Sequence, residues 1–274
     1  MKCGIETAPA LPQAAGVPAV LAARHHRTSS ATVVARPGNF GPTASANAVV
    51  ATAETGAYDP AADLLPVSMV AEMPLALAVG PAVPGSVGNV RELVGWMRAN
   101  PPLANVGSPG VGSVPHLLEA LLLRDAGVAW QHTAYSGGAL TVVALLGGQI
   151  AALVLPEAVL APHRAAGRLR VLATSSAQRS KFMTDAPSFV EQGYRNLVAQ
   201  DWFAIFMASR VPAGIIELTS LAIQQAVARP ELGAAFAEAG MNAASSTPAV
   251  LAARIAAEQR IWKPLIRAAG IRSE

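Results

Sequence analysis

Between residues 104 and 174 the chain alternates short β-type runs with helical runs, and glycine, serine or proline marks each junction. Residues 104–106 read as a strand, Gly107-Ser-Pro-Gly-Val-Gly-Ser113 as a tight turn, and 114–126 as a helix with Leu117, Leu118, Leu121 and Leu122 as its stripe. Ser113 is a good N-cap, and Pro115 suits the first helical turn. After Gly127, residues 128–135 form the next predicted strand, and Ser136-Gly-Gly138 opens a second helix through Leu146. The unit returns as a strand over 150–155, a helix over 157–166 closed by Gly167, and a strand over 169–174. Such alternation predicts a parallel or mixed sheet with helices on both faces, an α/β fold without an internal repeat of fixed period.

The flanks are less regular. Residues 1–65 are rich in Ala, Pro, Thr and Ser, with short apolar runs such as 31–35, and read as irregular. Two short β-type runs, 67–71 and 75–79, precede a helix over 89–99 whose apolar face carries Val90, Leu93, Val94 and Met97. A short helix is expected over 187–192 and a strand crossing between lobes over 198–207, with Trp202 and Phe203 in its core. The C-terminal region is helical over 215–228, 230–239 and 248–269, with Thr247 as N-cap and a kink at Pro264. Arg254, Arg260, Lys263, Arg267 and Arg272 there read as the solvated face of an amphipathic helix, opposite Leu251, Ile255, Trp262 and Ile266.

Composition excludes several classes of function. A chain that is 52% hydrophobic and 14% charged is not disordered, and a formal charge of +3 creates no polyanion field, so no nucleic-acid partner is expected. The single cysteine, Cys3, cannot build a cysteine-rich metal site, and the histidines lack metal-ligand spacing, so no metal or cofactor is expected. The longest stretch free of Asp, Glu, Lys and Arg, 126–156, is broken by Gln131, His132, Ser136, Gln149 and two Gly-Gly pairs, so the chain is not expected to span a membrane. Residues 1–23 offer Lys2, a proline-broken apolar stretch and Ala22-Ala23, a poor match to an export signal.

Chemistry concentrates in two turns. A glycine-rich turn between strand and helix exposes backbone N–H groups at the positive end of the helix, which favours anions. Ser108 and Ser113 add hydroxyls, and Gly110 and Gly112, on either side of Val111, let the backbone approach a ligand closely. Tyr135, Gly137, Gly138 and Ala139 repeat this logic at the next strand end, and two such corners from adjacent strands would face one crevice. His116, one turn into the first helix, could hydrogen-bond a ligand or brace the loop. The same residues would also serve as tight turns with ordinary caps, and the sequence leaves both readings standing. An α/β enzyme of hydrolase type, using Ser113 with His116, is the alternative, although no Gly-x-Ser-x-Gly pentapeptide surrounds the serine.

Read in order, Tyr58-Asp-Pro60 with Asp63, Pro66-Val-Ser68, the 107–113 turn with His116, Tyr135-Ser-Gly-Gly-Ala139, Leu145-Leu-Gly-Gly-Gln149, Ala166-Gly-Arg-Leu-Arg170 with Ala173-Thr-Ser175, and Trp202-Phe203 resemble the solute-binding proteins of tripartite tricarboxylate transporters, the TctC or Bug type. Arg36-Pro37-Gly38 is a fainter echo. The resemblance implies a two-lobed, periplasmic-binding-protein-like fold of type II, with 1–103 plus 208–274 as first lobe and 104–207 as second. It implies a periplasmic, non-enzymatic receptor that captures a small di- or tricarboxylate and delivers it to membrane permease subunits. Ser108, Gly110, Val111, Gly112, Ser113 and His116 would then form one anion loop, and Tyr135, Gly137, Gly138 and Ala139 its neighbour. Residues 1–34 match none of the family's opening strand and loop, so the first lobe is expected to be incomplete, as in a truncated or degenerate member. By the same resemblance, Ala151 and Leu155 stand where many relatives have Asp, which implies that a polar part of the pocket wall is lost.

Overall fold

The computed structural model describes residues 32–35 and 60–268. Cys3, His25, His26, Arg36, Pro37, Gly38, Tyr58, Asp59, Arg272 and the 1–23 stretch, all named above, lie outside the described residues. The strands are β1 (Thr32–Ala35), β2 (Leu64–Val79), β3 (Asn105–Ser108), β4 (Gln131–Ala134), β5 (Ala152–Pro156), β6 (Arg170–Thr174), β7 (Gln200–Ala208) and β8 (Asn242–Ala243). The helices are α1 (Pro60–Asp63), α2 (Val90–Ala99), α3 (Val114–Asp125), α4 (Gly138–Leu146), α5 (Glu157–Ala165), α6 (Ala213–Val227), α7 (Pro230–Glu238) and α8 (Pro248–Ala268).

The runs 67–71 and 75–79 are not two strands but parts of β2, which is 16 residues long. They look separate because they serve different partners. From Leu64 to Pro74, β2 pairs antiparallel with β7, and Ala71 and Glu72 also pair with β8. From Leu75 onward it pairs antiparallel with β5, and from Ala76 with β6. Pro66 falls beside a register shift, and Pro74 is the last residue paired to β7, so each proline sits where its missing N–H costs least. At the changeover, the Leu75 N–H donates to Ser175 Oγ at 3.0 Å, and that hydroxyl donates to the Ala199 carbonyl. Residues 32–35, expected to be irregular, form a strand instead: β7 offers them an edge with antiparallel pairing from Thr32↔Met207 to Ala35↔Ala204.

Topology places the candidate site. β3 pairs parallel with both β4 and β5, so all three strands end at one edge of a mixed sheet ordered β1-β7-β2-β5-β3-β4. The β3-α3-β4 crossover steps outward, whereas β4-α4-β5 steps back past β3. With right-handed crossovers, the two connecting helices must lie on opposite faces. The cores agree. Leu75, Leu77 and Val79 join α2 and α3 residues such as Leu93 and Leu117, while Ala76 and Ala78 join Val142 and Leu145 of α4 and Leu160 of α5. Strand alternation thus gives β2 two buried faces.

The helices largely follow the sequence patterns, with three corrections. α2 buries Val90, Leu93, Val94 and Met97, with Asn89 accepting from Glu92 N–H as N-cap. α3 has no narrow stripe, because it is buried from Val114 through Leu123. The helix expected over 187–192 does not form. Ser188 bridges instead to Thr174, and the Gln192 side chain is committed to Leu172 and Val90. Arg254 does not belong to a solvated face: it is three-quarters buried, bonds Glu72 and Glu258, and lies 5.7 Å above the Trp202 ring.

Candidate functional site

Three strand-to-helix corners share the carboxyl edge of β3, β4 and β5, where open α/β sheets form ligand crevices beside a switch in strand order. The first two corners touch. Gly137 N–H donates to the Pro109 carbonyl at 3.2 Å, and Tyr135 N–H to that of Ser108 at 2.9 Å. Gly137 has φ 101°, a backbone that only glycine adopts without strain. Gly107 is closely packed: a β-carbon there would lie 2.5 Å from Ile150 Cδ1 and 3.0 Å from the Tyr135 ring, so those side chains would have to shift.

Within the first corner, most polar groups are spent on one another. Ser113 Oγ donates to the Gly110 carbonyl at 2.8 Å and accepts from His116 N–H at 3.4 Å, so the serine is the N-cap the sequence predicted. Gly112 N–H donates to His116 Nδ1 at 3.0 Å, which leaves the ring proton on Nε2. Ser108 Oγ lies 2.8 Å from His132 Nε2 and 3.0 Å from the Gly110 carbonyl. Val111 is half exposed. The alternative pairing of Ser113 with the His116 ring is therefore not made, since capping and the Gly112 contact occupy both groups. Ser108 and His132 do meet, but Ser108 is fully buried, out of reach of a substrate.

His116 and His132 stack with ring centroids 3.6 Å apart and planes 5° from parallel, with Trp130 edge-on to both. Burial first, and then the neighbouring His132, push the His116 imidazole down to about 3; burial also lowers His132. Below the ordinary value of 6.5 the unfolded chain takes up a proton that folded His116 refuses, so the stability it contributes is full above that pH and is lost as pH falls toward about 3. The His116 ring-proton resonance should accordingly show no titration above about pH 4 in NMR spectra; a midpoint near 6 would show that the ring is not held in this stack.

The open space lies at the second and third corners. A cavity of about 540 Å³ is lined by Pro109 and Pro115, by Gly138, Ala139 and Val142 of α4, by Leu155 and Pro156 of β5, by Val159 of α5, and by Asp201 of β7. His163 and Arg168 also line it, and the Arg168 guanidinium donates to His163 Nδ1 at 2.6 Å. Gly138 and Ala139 are the first two residues of α4, whose N-cap, Gly137, has no side chain to occupy their N–H groups. α5 likewise starts from Pro156 without a side-chain cap. Two positive helix ends therefore open toward one space. Glu157, the first residue of α5, is buried and pushed up by burial to about 7, with Ser180 Oγ donating to it at 2.6 Å.

Of the residues singled out in the sequence, Gly138 and Ala139 line the cavity; Ser108, Gly112, Ser113 and His116 brace the corner beside it. Leu155, singled out only through the family resemblance, also lines the cavity, whereas the sequence reading missed Pro156 and Asp201. Pro156 was detectable as a third strand-to-helix junction of the same kind, and Asp201 as the one acid in an otherwise apolar strand run. A second cavity of about 260 Å³ holds Arg254 and Glu258, whose charges already pair with each other.

A family model described as the tripartite tricarboxylate transporter family receptor matches residues 42–271. Protein BugT of Bordetella pertussis is 32% identical over 208 residues, 76% of this chain and 63% of its own length. The chain spans less than two thirds of the length of the first curated relatives it matches. A solved R. palustris protein with adipate is 25% identical, with a TM-score of 0.71 over 80% of this chain and 72% of its own. MatC from Rhodopseudomonas palustris with bound malate shares the fold, at 22% identity and a TM-score of 0.70 over 86% of this chain and 78% of its own.

Proposed function

This chain belongs to the tripartite tricarboxylate transporter receptor family, and we propose that it captures a small organic carboxylate at the cavity between α4 and α5, without chemical conversion, for delivery to membrane permease subunits. The observation that carries this reading is the cavity itself: about 540 Å³, within the usual range for small-molecule sites, with the uncapped amino ends of α4 and α5 facing it. A carboxylate there would accept from the Gly138 and Ala139 amides, and the hydroxyls and histidines of the first corner would act as its scaffold. A relative of the same fold binding adipate agrees in ligand chemistry. A non-enzymatic role fits a corner whose serines and histidines satisfy one another. Periplasmic residence follows from the family and is part of the proposal, as is a two-lobed body whose lobes share β2.

Thermal unfolding and calorimetry against a panel of mono-, di- and tricarboxylates test the proposal. A ligand at 100 times its Kd stabilises by about 2.7 kcal/mol, which raises Tm by roughly 5–10 °C for a chain of this size. A flat panel from folded protein would reject carboxylate capture.

A further inference from the structure

The geometry points to a second anion anchor in the cavity, the Arg168 guanidinium braced by His163, which selects long α,ω-dicarboxylates over short ones. This inference rests on the receptor reading and goes one step beyond it. The cavity is elongated: its lining on α4 runs from Gly138 to Leu146, and on α5 from Val159 to His163, with Arg168 just past the end of that helix. At a rise of 1.5 Å per residue, the α4 side is about 12 Å long.

Arg168 stands at the far end with its charge unspent. Arg164, one turn earlier, pairs with Asp185, whereas among the described residues Arg168 has no acidic partner and donates to His163 Nδ1. Asp201 does not offset it, because strand register puts that acid at the opposite end: Asp201 pairs with Met73 of β2, and Pro156, before α5, with Leu75. The bond from Arg168 leaves the ring proton of neutral His163 on Nε2, a second donor at the same end of the cavity. A planar guanidinium fixed in this way can grip a carboxylate with the N–H groups that His163 does not use. Between the two ends, the lining open to a ligand is hydrocarbon: Val143 is 65% exposed, and Leu146 and Val159 are partly so. Methylene groups crossing that stretch gain from leaving water. An extended chain advances about 1.2 Å per bond, so about nine bonds join a carboxylate on the Gly138 and Ala139 amides to one on Arg168, the length of a ten-carbon diacid. Adipate falls roughly 5 Å short.

Calorimetry on the full chain with sebacate, adipate and decanoate tests the anchor. Sebacate is the ten-carbon diacid, and decanoate has its length without the second carboxylate. Sebacate should bind at least fivefold tighter than either of the others. Arg168→Gln should erase the advantage over decanoate while leaving decanoate affinity within twofold, and its melting curve should overlay that of the unmodified protein, because the side chain is exposed. Adipate binding as tightly as sebacate would overturn the inference and leave the receptor reading intact. So would a sebacate-to-decanoate ratio unchanged in folded Arg168→Gln. No binding of any of the three, nor of the wider panel, would end the receptor reading and the inference with it.

Discussion

Replacing Ala139 with glutamate should abolish carboxylate binding while leaving the protein folded and its Tm unchanged or slightly raised. Ala139 is exposed at the second position of α4 and lines the cavity. A carboxylate on its side chain would occupy the positive helix end as an internal ligand. For the helix this is favourable, since an acidic residue in the first turn contributes about 0.3–1 kcal/mol. For an incoming anion it is prohibitive, since like charges brought together cost several kcal/mol. The expected loss is at least about 100-fold in affinity, equivalent to ~2.7 kcal/mol. Calorimetry and a melting curve on the same preparation separate the two effects. Retained affinity in a folded A139E variant would place the anion elsewhere.

Truncation of Trp202 should produce the largest loss of stability. The indole is 1% exposed in β7 and packs in the core that includes Leu251, Trp262 and Leu265 of α8. Its N–H donates to the Glu258 carboxylate at 3.1 Å, and the Arg254 guanidinium that pairs with Glu258 lies over its ring. Trp202→Ala therefore leaves a cavity and removes the ring from a largely buried ion pair. Large-to-small aromatic substitutions in cores cost about 3–5 kcal/mol, which here corresponds to a fall in Tm of roughly 10–15 °C. Trp202→Phe keeps most of the packing and should cost about 1–2 kcal/mol, chiefly the hydrogen bond to a charged group. A change below about 3 °C for Trp202→Ala would contradict this account of the core.

The strand-to-helix rhythm between 104 and 174 was legible because its signals are local. Glycine and proline interrupt helices, leucine spacing marks the buried faces, and Ser113 caps the turn that follows it. The Ser113 cap, the α2 face and the buried Trp202 are all found in the structure. What failed depended on partners distant in sequence. β2 looked like two strands because no local rule tells a chain that Leu64–Pro74 will find β7 while Leu75–Val79 finds β5 and β6. Arg254 looked solvated because Glu72, its partner, lies 182 residues away.

The amino-acid order by itself determined which segments turn, which rise as strands, and that several helix amino ends follow glycine- or proline-bearing corners. Only the tertiary structure decided which of those ends remain available. The serines and histidines of the first corner neutralise one another at contact distance, a matter of angles and separations that residue spacing does not encode. The cavity instead opens between α4 and α5, because β4-α4-β5 returns past β3 and because β7 carries Asp201 to the same edge. Hydrogen bonds and apolar burial reward proximity in space whatever the separation along the chain, so the position of the open site is a property of the assembled sheet.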